Sequence, residues 1–239
     1  MSHPVDTSWI SITGDAGSFD AYLALPPGGS GPGLLLYQEI FGVNAHIRSV
    51  AEQYALAGFV VLAPDVFWQQ QARIDLGYSP DDIQRGRALA GALQAEALQR
   101  DIADALRTLR ALPKLNAQAQ RRKAGVIGYC MGGRLAYTAA ALTDIDAAVA
   151  YYGGGVQGQL DLAPRIRCPM QFHYGALDAN IPLSAVDQVR AAMQGKDAQV
   201  HVYEHADHGF NCWARASYDA ASAALAHGRS LQFLAQQLF

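Results

Sequence analysis

The sequence has few cysteines, few charged residues and no long hydrophobic run. Three cysteines in 239 residues are too few, and odd in number, for a disulfide framework, and they indicate a reducing compartment. Charged residues make up 16% of the chain and the net charge is −3, so the basic excess that binds a nucleic-acid backbone is missing. Apolar runs such as 33–37 and 59–63 are far shorter than the roughly 20 residues that span a bilayer. The N-terminal residues also lack a signal-peptide pattern. We therefore expect a cytoplasmic protein that binds neither nucleic acid nor membrane.

The hydrophobic content of 51% excludes disorder, because disordered chains have low hydrophobicity and high charge. Short apolar segments alternate with segments of helical periodicity along most of the chain. Several of the apolar segments are apolar at consecutive positions, which is typical of strands buried on both faces. The predicted strands are 9–12, 19–25, 33–38, 59–63, 124–129, 147–152, 170–174 and 199–204.

Apolar residues recur at helical spacing in 47–55, in 102–109 and from 218 onward. Strands that alternate with helices predict an α/β fold, with a single mostly parallel sheet and helices on both faces. The first two strands are joined without a helix, so they predict an antiparallel edge. No linker or repeat interrupts the pattern, and no insertion is long enough for a separate lid domain. We predict one domain over residues 1–239.

A glycine-rich turn follows the predicted strand 124–129. It reads Gly128-Tyr129-Cys130-Met131-Gly132-Gly133 and precedes a helical pattern. This is the G-x-S-x-G nucleophile elbow with cysteine in place of serine. A helix N-terminus behind the thiol favours a thiolate and can bind an oxyanion. A buried structural cysteine is the alternative interpretation. A phosphate-binding loop is not, because the Lys-Ser/Thr pair of a P-loop is missing.

A thiol nucleophile needs a base, and the base needs an orienting acid. Asp178 follows the predicted strand 170–174, and His208 follows the predicted strand 199–204. The carboxyl ends of parallel strands share one edge of a sheet, so both side chains are expected near Cys130. The alternatives are a helix cap for Asp178 and a bond to a loop carbonyl for His208. A metal site is a further alternative, and its ligands would be His201, His205, Asp207 and His208.

Several motifs together resemble the dienelactone hydrolase family, the cysteine branch of the α/β-hydrolase fold. They occur in the family order and are Q-E-I-F-G-V-N at 38–44, A-P-D at 63–65, G-Y-C-M-G-G at 128–133, Y-Y-G at 151–153, G-x-x-D at 175–178 and H-G-F at 208–210. The resemblance implies that Cys130, Asp178 and His208 form the catalytic triad. It also implies that Glu39 engages the resting thiol and moves away when substrate binds. The oxyanion hole would consist of the backbone N–H groups of Ile40 and Met131.

The sequence departs from the family where the substrate carboxylate is bound. The family places an arginine four residues after the catalytic histidine, but this chain has Cys212 there and its nearest arginine is Arg215. Cys212 therefore lies near the site without a base of its own, and Cys168 is predicted to be a core residue. The predicted pocket residues are Phe41, Phe67, Trp68, Arg87, Tyr152, Phe210 and Trp213.

These features predict a hydrolase of carboxylic esters or lactones that works through a thiol-acyl intermediate, without a metal or an organic cofactor. Its partner is a small-molecule ester or lactone, and the chain is expected to be a monomer or a homodimer. Other activated esters, either aryl or organophosphorus, are alternative substrates of the same triad. A non-catalytic member of the fold that binds a small ligand is the alternative from another class.

Overall fold

The apolar segments of the sequence form the strands of one central sheet. The computed structural model describes residues 4–115 and 122–239. Residues 1–3, which belong to the N-terminal segment without a signal-peptide pattern, lie outside the described residues. The strands are β1 (Asp6–Gly14), β2 (Gly17–Leu25), β3 (Gly33–Tyr37), β4 (Val60–Pro64), β5 (Ala124–Tyr129), β6 (Ala147–Tyr151), β7 (Met170–Gly175) and β8 (Ala198–Tyr203).

Six α-helices in the described part of the chain connect these strands or follow them. They are α1 (Ala45–Leu56), α2 (Pro80–Gly91), α3 (Ala95–Ala111), α4 (Met131–Leu142), α5 (Leu183–Ala192) and α6 (Ala220–Leu238). Two short 3₁₀ segments, Val156–Gly158 and Leu160–Arg165, lie between β6 and β7.

The strand order places a topological switch point at the centre of the sheet. The order is β1-β2-β4-β3-β5-β6-β7-β8, and every pair from β4 to β8 is parallel. The predicted antiparallel edge is formed by β1 and β2. The chain leaves β3 toward β4 on one side and returns in β5 on the other. Ligands of such sheets bind where the strand order reverses, outside the carboxyl ends of the strands. In this chain that crevice lies between the ends of β3 and β5.

Helices cover both faces of the sheet, so its central strands are completely buried. Every residue of β3, β4, β5, β6 and β7 is buried, which is why these strands lack a polar alternation. Helix α3 packs on α4, whereas α1 contacts α6 through the rings of Tyr54 and His227. The predicted α/β-hydrolase fold is confirmed by this topology. Within the described ranges, no helix is long and apolar enough to cross a membrane.

Two elements differ from the sequence prediction. Helix α2 was not predicted, because only Gly86 is buried along its length and no apolar stripe marks it. Strand β1 is longer than the predicted 9–12, because most of its side chains are exposed or half-buried and the apolar signal is confined to its middle. The single domain over residues 1–239 stays a prediction.

Candidate active site

Cys130 stands on a strained turn between β5 and α4. Its backbone angles are φ 55° and ψ −117°, a region that side-chain-bearing residues rarely occupy. The turn is tight because a Cβ on Gly128 would lie 1.9 Å from the carbonyl oxygen of Gly132. Glycine is therefore required at position 128. The strain directs the Cys130 side chain out of the turn at the crevice between β3 and β5.

His208 bridges the predicted nucleophile and the predicted acid. Its Nε2 lies 3.0 Å from the Cys130 Sγ, and its Nδ1 lies 2.7 Å from Oδ2 of Asp178. The other Asp178 oxygen, Oδ1, accepts hydrogen bonds from the backbone N–H groups of Asn180 and Ile181. These bonds hold the carboxylate in the orientation in which its other oxygen bonds the imidazole. The structure thus brings together the three residues that the sequence predicted as a triad.

The pKa values of the acid and the base are shifted in opposite directions. Burial opposes ionisation of Asp178, but the hydrogen bond and charge of His208 and the two loop N–H groups outweigh it, so the Asp178 pKa is lowered. Burial likewise opposes the charge on His208. Its bonds to Asp178 and to the Cys130 sulfur dominate, and they raise the His208 pKa to about 10. The arrangement therefore favours a protonated His208 imidazole between the Asp178 carboxylate and the Cys130 sulfur.

These shifts predict how stability depends on pH. The stabilisation from His208, with an ordinary pKa of 6.5, is fully present below about pH 6.5 and is lost as the pH rises through about 10. The stabilisation from Asp178 is present above its ordinary pKa of 3.8 and is lost on acidification. We expect His208→Gln to lower the free energy of unfolding most between about pH 4 and 6.5, and less as the pH approaches 10. Urea unfolding across this range measures the difference, with exposed His205 changed to glutamine as a control. A difference that widens toward pH 10 would contradict the assignment.

The two backbone N–H groups predicted to form the oxyanion hole lie at the start of α4 and after the end of β3. Met131 is the first residue of α4, so its N–H has no acceptor within the helix. A Cβ on Gly132 would lie 2.2 Å from the carbonyl oxygen of Tyr37, so the start of α4 touches the end of β3. Ile40 is the third residue after β3, and no backbone hydrogen bond of the described residues uses its N–H. This is the arrangement that an oxyanion hole requires.

Glu39 is buried at the carboxyl end of β3 and pairs with Arg215. Its Oε1 accepts a hydrogen bond of 3.1 Å from Nη1 of Arg215. Its Oε2 is buried and has no hydrogen-bond partner in the described part of the chain. Burial raises the pKa of Glu39, and the charges of Arg215 and His208 offset only part of that effect. No hydrogen bond joins Glu39 to Cys130 in this structure. The thiol is bonded to His208 while Glu39 is held by Arg215.

Four of the predicted pocket residues contact the triad or its surroundings. The Tyr152 ring lies 5.1 Å from the His208 ring and 5.4 Å from the buried Phe210 ring. Tyr152 has a positive φ of 35°, so strain directs this side chain as it directs Cys130. Phe41 lies beneath the guanidinium of Arg215, 5.7 Å from its Cζ.

Trp213, the fourth of them, packs on a buried histidine of α1. Its ring lies 4.2 Å from the ring of His46, edge to face. Both ring nitrogens of His46 are buried and lack a hydrogen-bond partner among the described residues. Burial and the charge of Arg215 lower the pKa of His46 to about 4. This side of the site therefore holds a neutral imidazole beside the Arg215 cation.

The other three predicted pocket residues make contacts elsewhere. Phe67 is completely buried in the hydrophobic core. Trp68 stacks on Phe19 of β2, and its Nε1 donates a 2.8 Å hydrogen bond to Asp101 of α3. Arg87 is exposed on α2. None of them contacts the triad, since Phe67 lies in the core, Trp68 packs against β2 and α3, and Arg87 faces solvent.

The remaining cysteines and histidines have separate environments. Cys212 is completely buried and bonds Tyr78. Cys168 is half-buried and lines a groove of about 1170 Å³ between α3, α4 and the start of β7, which contains no triad residue. His201 stacks on His173 with ring centroids 5.3 Å apart. Within residues 4–115 and 122–239, no group of three or more His, Cys, Asp or Glu side chains is arranged to hold a metal.

Sequence patterns did not reveal the partner of Glu39. Arg215 is 176 residues away in the chain, and no periodicity links the two positions. The signal that could have found it was an arginine near the place where the family has one. Asn44, Tyr78 and Cys212 also meet at this site, and only Asn44 belongs to a recognised motif.

Comparisons with known proteins identify a family for the chain. The model of the family described as the dienelactone hydrolase family matches residues 19–238. The carboxymethylenebutenolidase of Pseudomonas putida is 36% identical over 233 residues, which cover 96% of this chain and 96% of that protein. Carboxymethylenebutenolidase 1 of Cupriavidus pinatubonensis is 32% identical and covers 95% of each chain. A crystal structure from Klebsiella pneumoniae, provisionally described as a dienelactone hydrolase, has a TM-score of 0.84 at 29% identity and covers 97% of this chain and 99% of that one.

Proposed function

The chain belongs to the dienelactone hydrolase family, and on that premise we propose that Cys130, Asp178 and His208 are its catalytic triad. The chain is a hydrolase that acts on carboxylic esters or lactones. One observation carries the assignment of the triad. His208 contacts both the Cys130 sulfur, at 3.0 Å, and the Asp178 carboxylate, at 2.7 Å. A nucleophile, a base and an orienting acid in this order are the parts that acyl transfer needs.

Acylation begins when the Cys130 sulfur attacks the substrate carbonyl and His208 holds the thiol proton on Nε2. The new C–S bond places negative charge on the carbonyl oxygen, which the N–H groups of Ile40 and Met131 stabilise. When the tetrahedral intermediate collapses, the ester C–O bond breaks and Nε2 gives its proton to the leaving oxygen. In a lactone that oxygen stays attached to the acyl chain, so the ring opens.

Deacylation repeats the same steps with water as the nucleophile. His208 takes a proton from water, the resulting hydroxide adds to the thioester carbonyl, and the C–S bond breaks. The products are a carboxylic acid and the regenerated Cys130 sulfur, which recovers the proton from His208. Asp178 keeps the Nδ1–H of His208 oriented throughout both halves.

Arg215 is the proposed binding group for substrates that carry a carboxylate. The relatives' name, carboxymethylenebutenolidase, denotes an unsaturated lactone with a carboxyl group. Glu39 uses one of the five guanidinium N–H groups, and the Arg215 side chain is 20% exposed, so other N–H groups are free to bind an anion bidentately. We therefore assign carboxylate-bearing lactones as the preferred substrates, with Arg215 in the role of the displaced family arginine.

Arg215→Gln tests this preference. Loss of the guanidinium charge is expected to lower the kcat/KM ratio of carboxymethylenebutenolide to its methyl ester by about tenfold or more, because a hydrogen-bonded charge pair is lost. Steady-state assays on both lactones measure the ratio. The matched control is Arg190→Gln. Arg190 is an exposed residue of α5, and its substitution breaks only a surface pair with Asp187. An unchanged ratio in Arg215→Gln would refute the role of Arg215.

We further propose the cytoplasm as the location. The support is chemical, since the Cys130 thiol must stay reduced to act as a nucleophile and all three cysteines are free. A small-molecule lactone or ester is the proposed partner, and the chain is proposed to act as a monomer or a homodimer.

A further inference from the structure

The Tyr78 hydroxyl has an unusual set of hydrogen-bond donors around it. Tyr78 is half-buried in the loop before α2, and its ring packs edge to face on Phe41 at 4.7 Å. Asn44 donates to the hydroxyl from Nδ2 at 3.1 Å, and Cys212 donates from Sγ at 3.3 Å. The three residues are brought together from separate parts of the chain, which are the start of α1, the loop before α2 and the loop before α6.

The direction of the Asn44 bond is fixed by its other contacts. Its Oδ1 caps α1 by accepting from the backbone N–H of Ile47, and its Nδ2 also donates to the carbonyl of Leu76. A flipped amide would place an oxygen against that carbonyl. The Asn44 amide is therefore a donor to Tyr78.

Cys212 is held in its protonated form. Burial raises the pKa of Cys212 to about 11, and the nearby Glu39 carboxylate adds to the increase. A protonated thiol keeps its S–H, which is a weak donor, and Cys212 donates it to the phenol oxygen at 3.3 Å.

A hydroxyl has two acceptor sites and one proton. Asn44 and Cys212 occupy both acceptor sites of the Tyr78 oxygen, so the O–H must donate away from them. No described residue accepts a hydrogen bond from the Tyr78 hydroxyl. The structure thus holds a donor in a fixed direction without an internal acceptor.

Tyr78 shares a packing partner with Arg215 and is close enough to Glu39 to be affected by its charge. Tyr78 and Arg215 both pack on the Phe41 ring, Tyr78 in a T-shaped arrangement and Arg215 over the ring. Burial raises the pKa of Tyr78, and the charge of Glu39 raises it further. Glu39 is thus close to both the phenol and the guanidinium.

We propose that Tyr78 is a specificity-determining residue whose hydroxyl donates to the substrate carboxylate bound by Arg215. Asn44 and Cys212 are positioning residues that orient this hydroxyl. The proposal rests on the proposed function, because it needs Arg215 to bind an anionic substrate. It gives Cys212 a role at the position where the family has its arginine.

The test compares carboxymethylenebutenolide with its methyl ester. Tyr78→Phe removes the donor and keeps the ring, so it is expected to lower the kcat/KM ratio of the acid to the methyl ester by about tenfold, since one charge-assisted hydrogen bond is lost. The loss should appear mainly as a higher KM for the acid. Tyr22→Phe is the matched control, because Tyr22 lies on β2 and its hydroxyl donates to Glu52 of α1.

The positioning residues give a second readout. Cys212→Ala removes one donor and should lower the same ratio about twofold to fivefold. Cys212→Ser restores a hydroxyl donor and should return the ratio to the wild-type value. A protein that had only lost packing would change both lactones equally and would not distinguish serine from alanine in this way.

The outcomes separate this inference from the proposed function. If Arg215→Gln collapses the ratio while Tyr78→Phe leaves it within twofold of wild type, the role of Tyr78 is refuted and that of Arg215 stands. If neither variant changes the ratio, the carboxylate preference itself fails. A lowered ratio in both variants, with rescue by Cys212→Ser, supports the proposal.

Discussion

Cys130→Ala is expected to lower kcat/KM for carboxymethylenebutenolide and for 4-nitrophenyl acetate by at least about 10⁴-fold, because removal of a nucleophile abolishes the covalent route. Only the background from the oxyanion N–H groups and from substrate binding would remain. The variant should fold, because alanine is smaller than cysteine and Cys130 is only half-buried. Steady-state kinetics and a melting curve measure both properties.

Cys168→Ala is the matched control for this variant. Cys168 is also half-buried, but it lines the groove between α3 and α4, away from the triad. Its loss should leave kcat/KM close to the wild-type value. If Cys130→Ala kept more than about one hundredth of wild-type activity, the nucleophile assignment would be wrong.

Asp178→Asn is expected to lower kcat by about 10³-fold to 10⁴-fold, with little change in KM. The loop N–H groups of Asn180 and Ile181 donate to Oδ1, so they would keep the amide oxygen of asparagine on their side. Its NH₂ group would then face Nδ1 of His208. Nδ1 would have to accept, the proton of neutral His208 would move to Nε2, and Nε2 could no longer take a proton from Cys130.

The control for the Asp178 variant is Asp187→Asn. Asp187 is an exposed residue of α5 that pairs with Arg190, so its loss should change neither kcat nor KM. A normal kcat in Asp178→Asn would mean that the short bond between Asp178 and His208 is structural.

The parts of the site that follow strands could be predicted, because local sequence carries them. Cys130 is marked by the glycines that its turn requires. Asp178 and His208 come just after the predicted strands that became β7 and β8. The parallel sheet brings these three distant positions to one edge, so the triad could be predicted from the positions of the strands in the sequence.

The substrate side could not be predicted in the same way, because long-range pairing decides it. The bond of Glu39 to Arg215 depends on how the loop before α6 folds back onto β3. Trp68 is a large aromatic residue of the kind that lines pockets. Its indole instead stacks on Phe19 and donates a hydrogen bond to Asp101. A large aromatic in a loop does not by itself indicate which side of the sheet it covers.

Helix α2 shows a third kind of limit. It has a capping box at Ser79 and Asp82 and a proline in its first turn, so the sequence carries a signal for its start. The rest of the helix is exposed and lacks an apolar stripe, so hydrophobic periodicity does not predict it. The helix matters for the site nonetheless, since Gly86 packs against the carbonyl of Ile40.

The central claim is that Cys130 carries the acyl group, and the mass of the enzyme during turnover tests it most directly. Wild-type protein is mixed with 4-nitrophenyl acetate, quenched with acid within the first turnover, and analysed intact and as peptides. We predict one added acetyl group, located on the peptide that contains Cys130, and none on Cys130→Ala. An acetyl group on another residue that is released at the rate of turnover, or turnover by Cys130→Ala at the wild-type rate, would contradict the account.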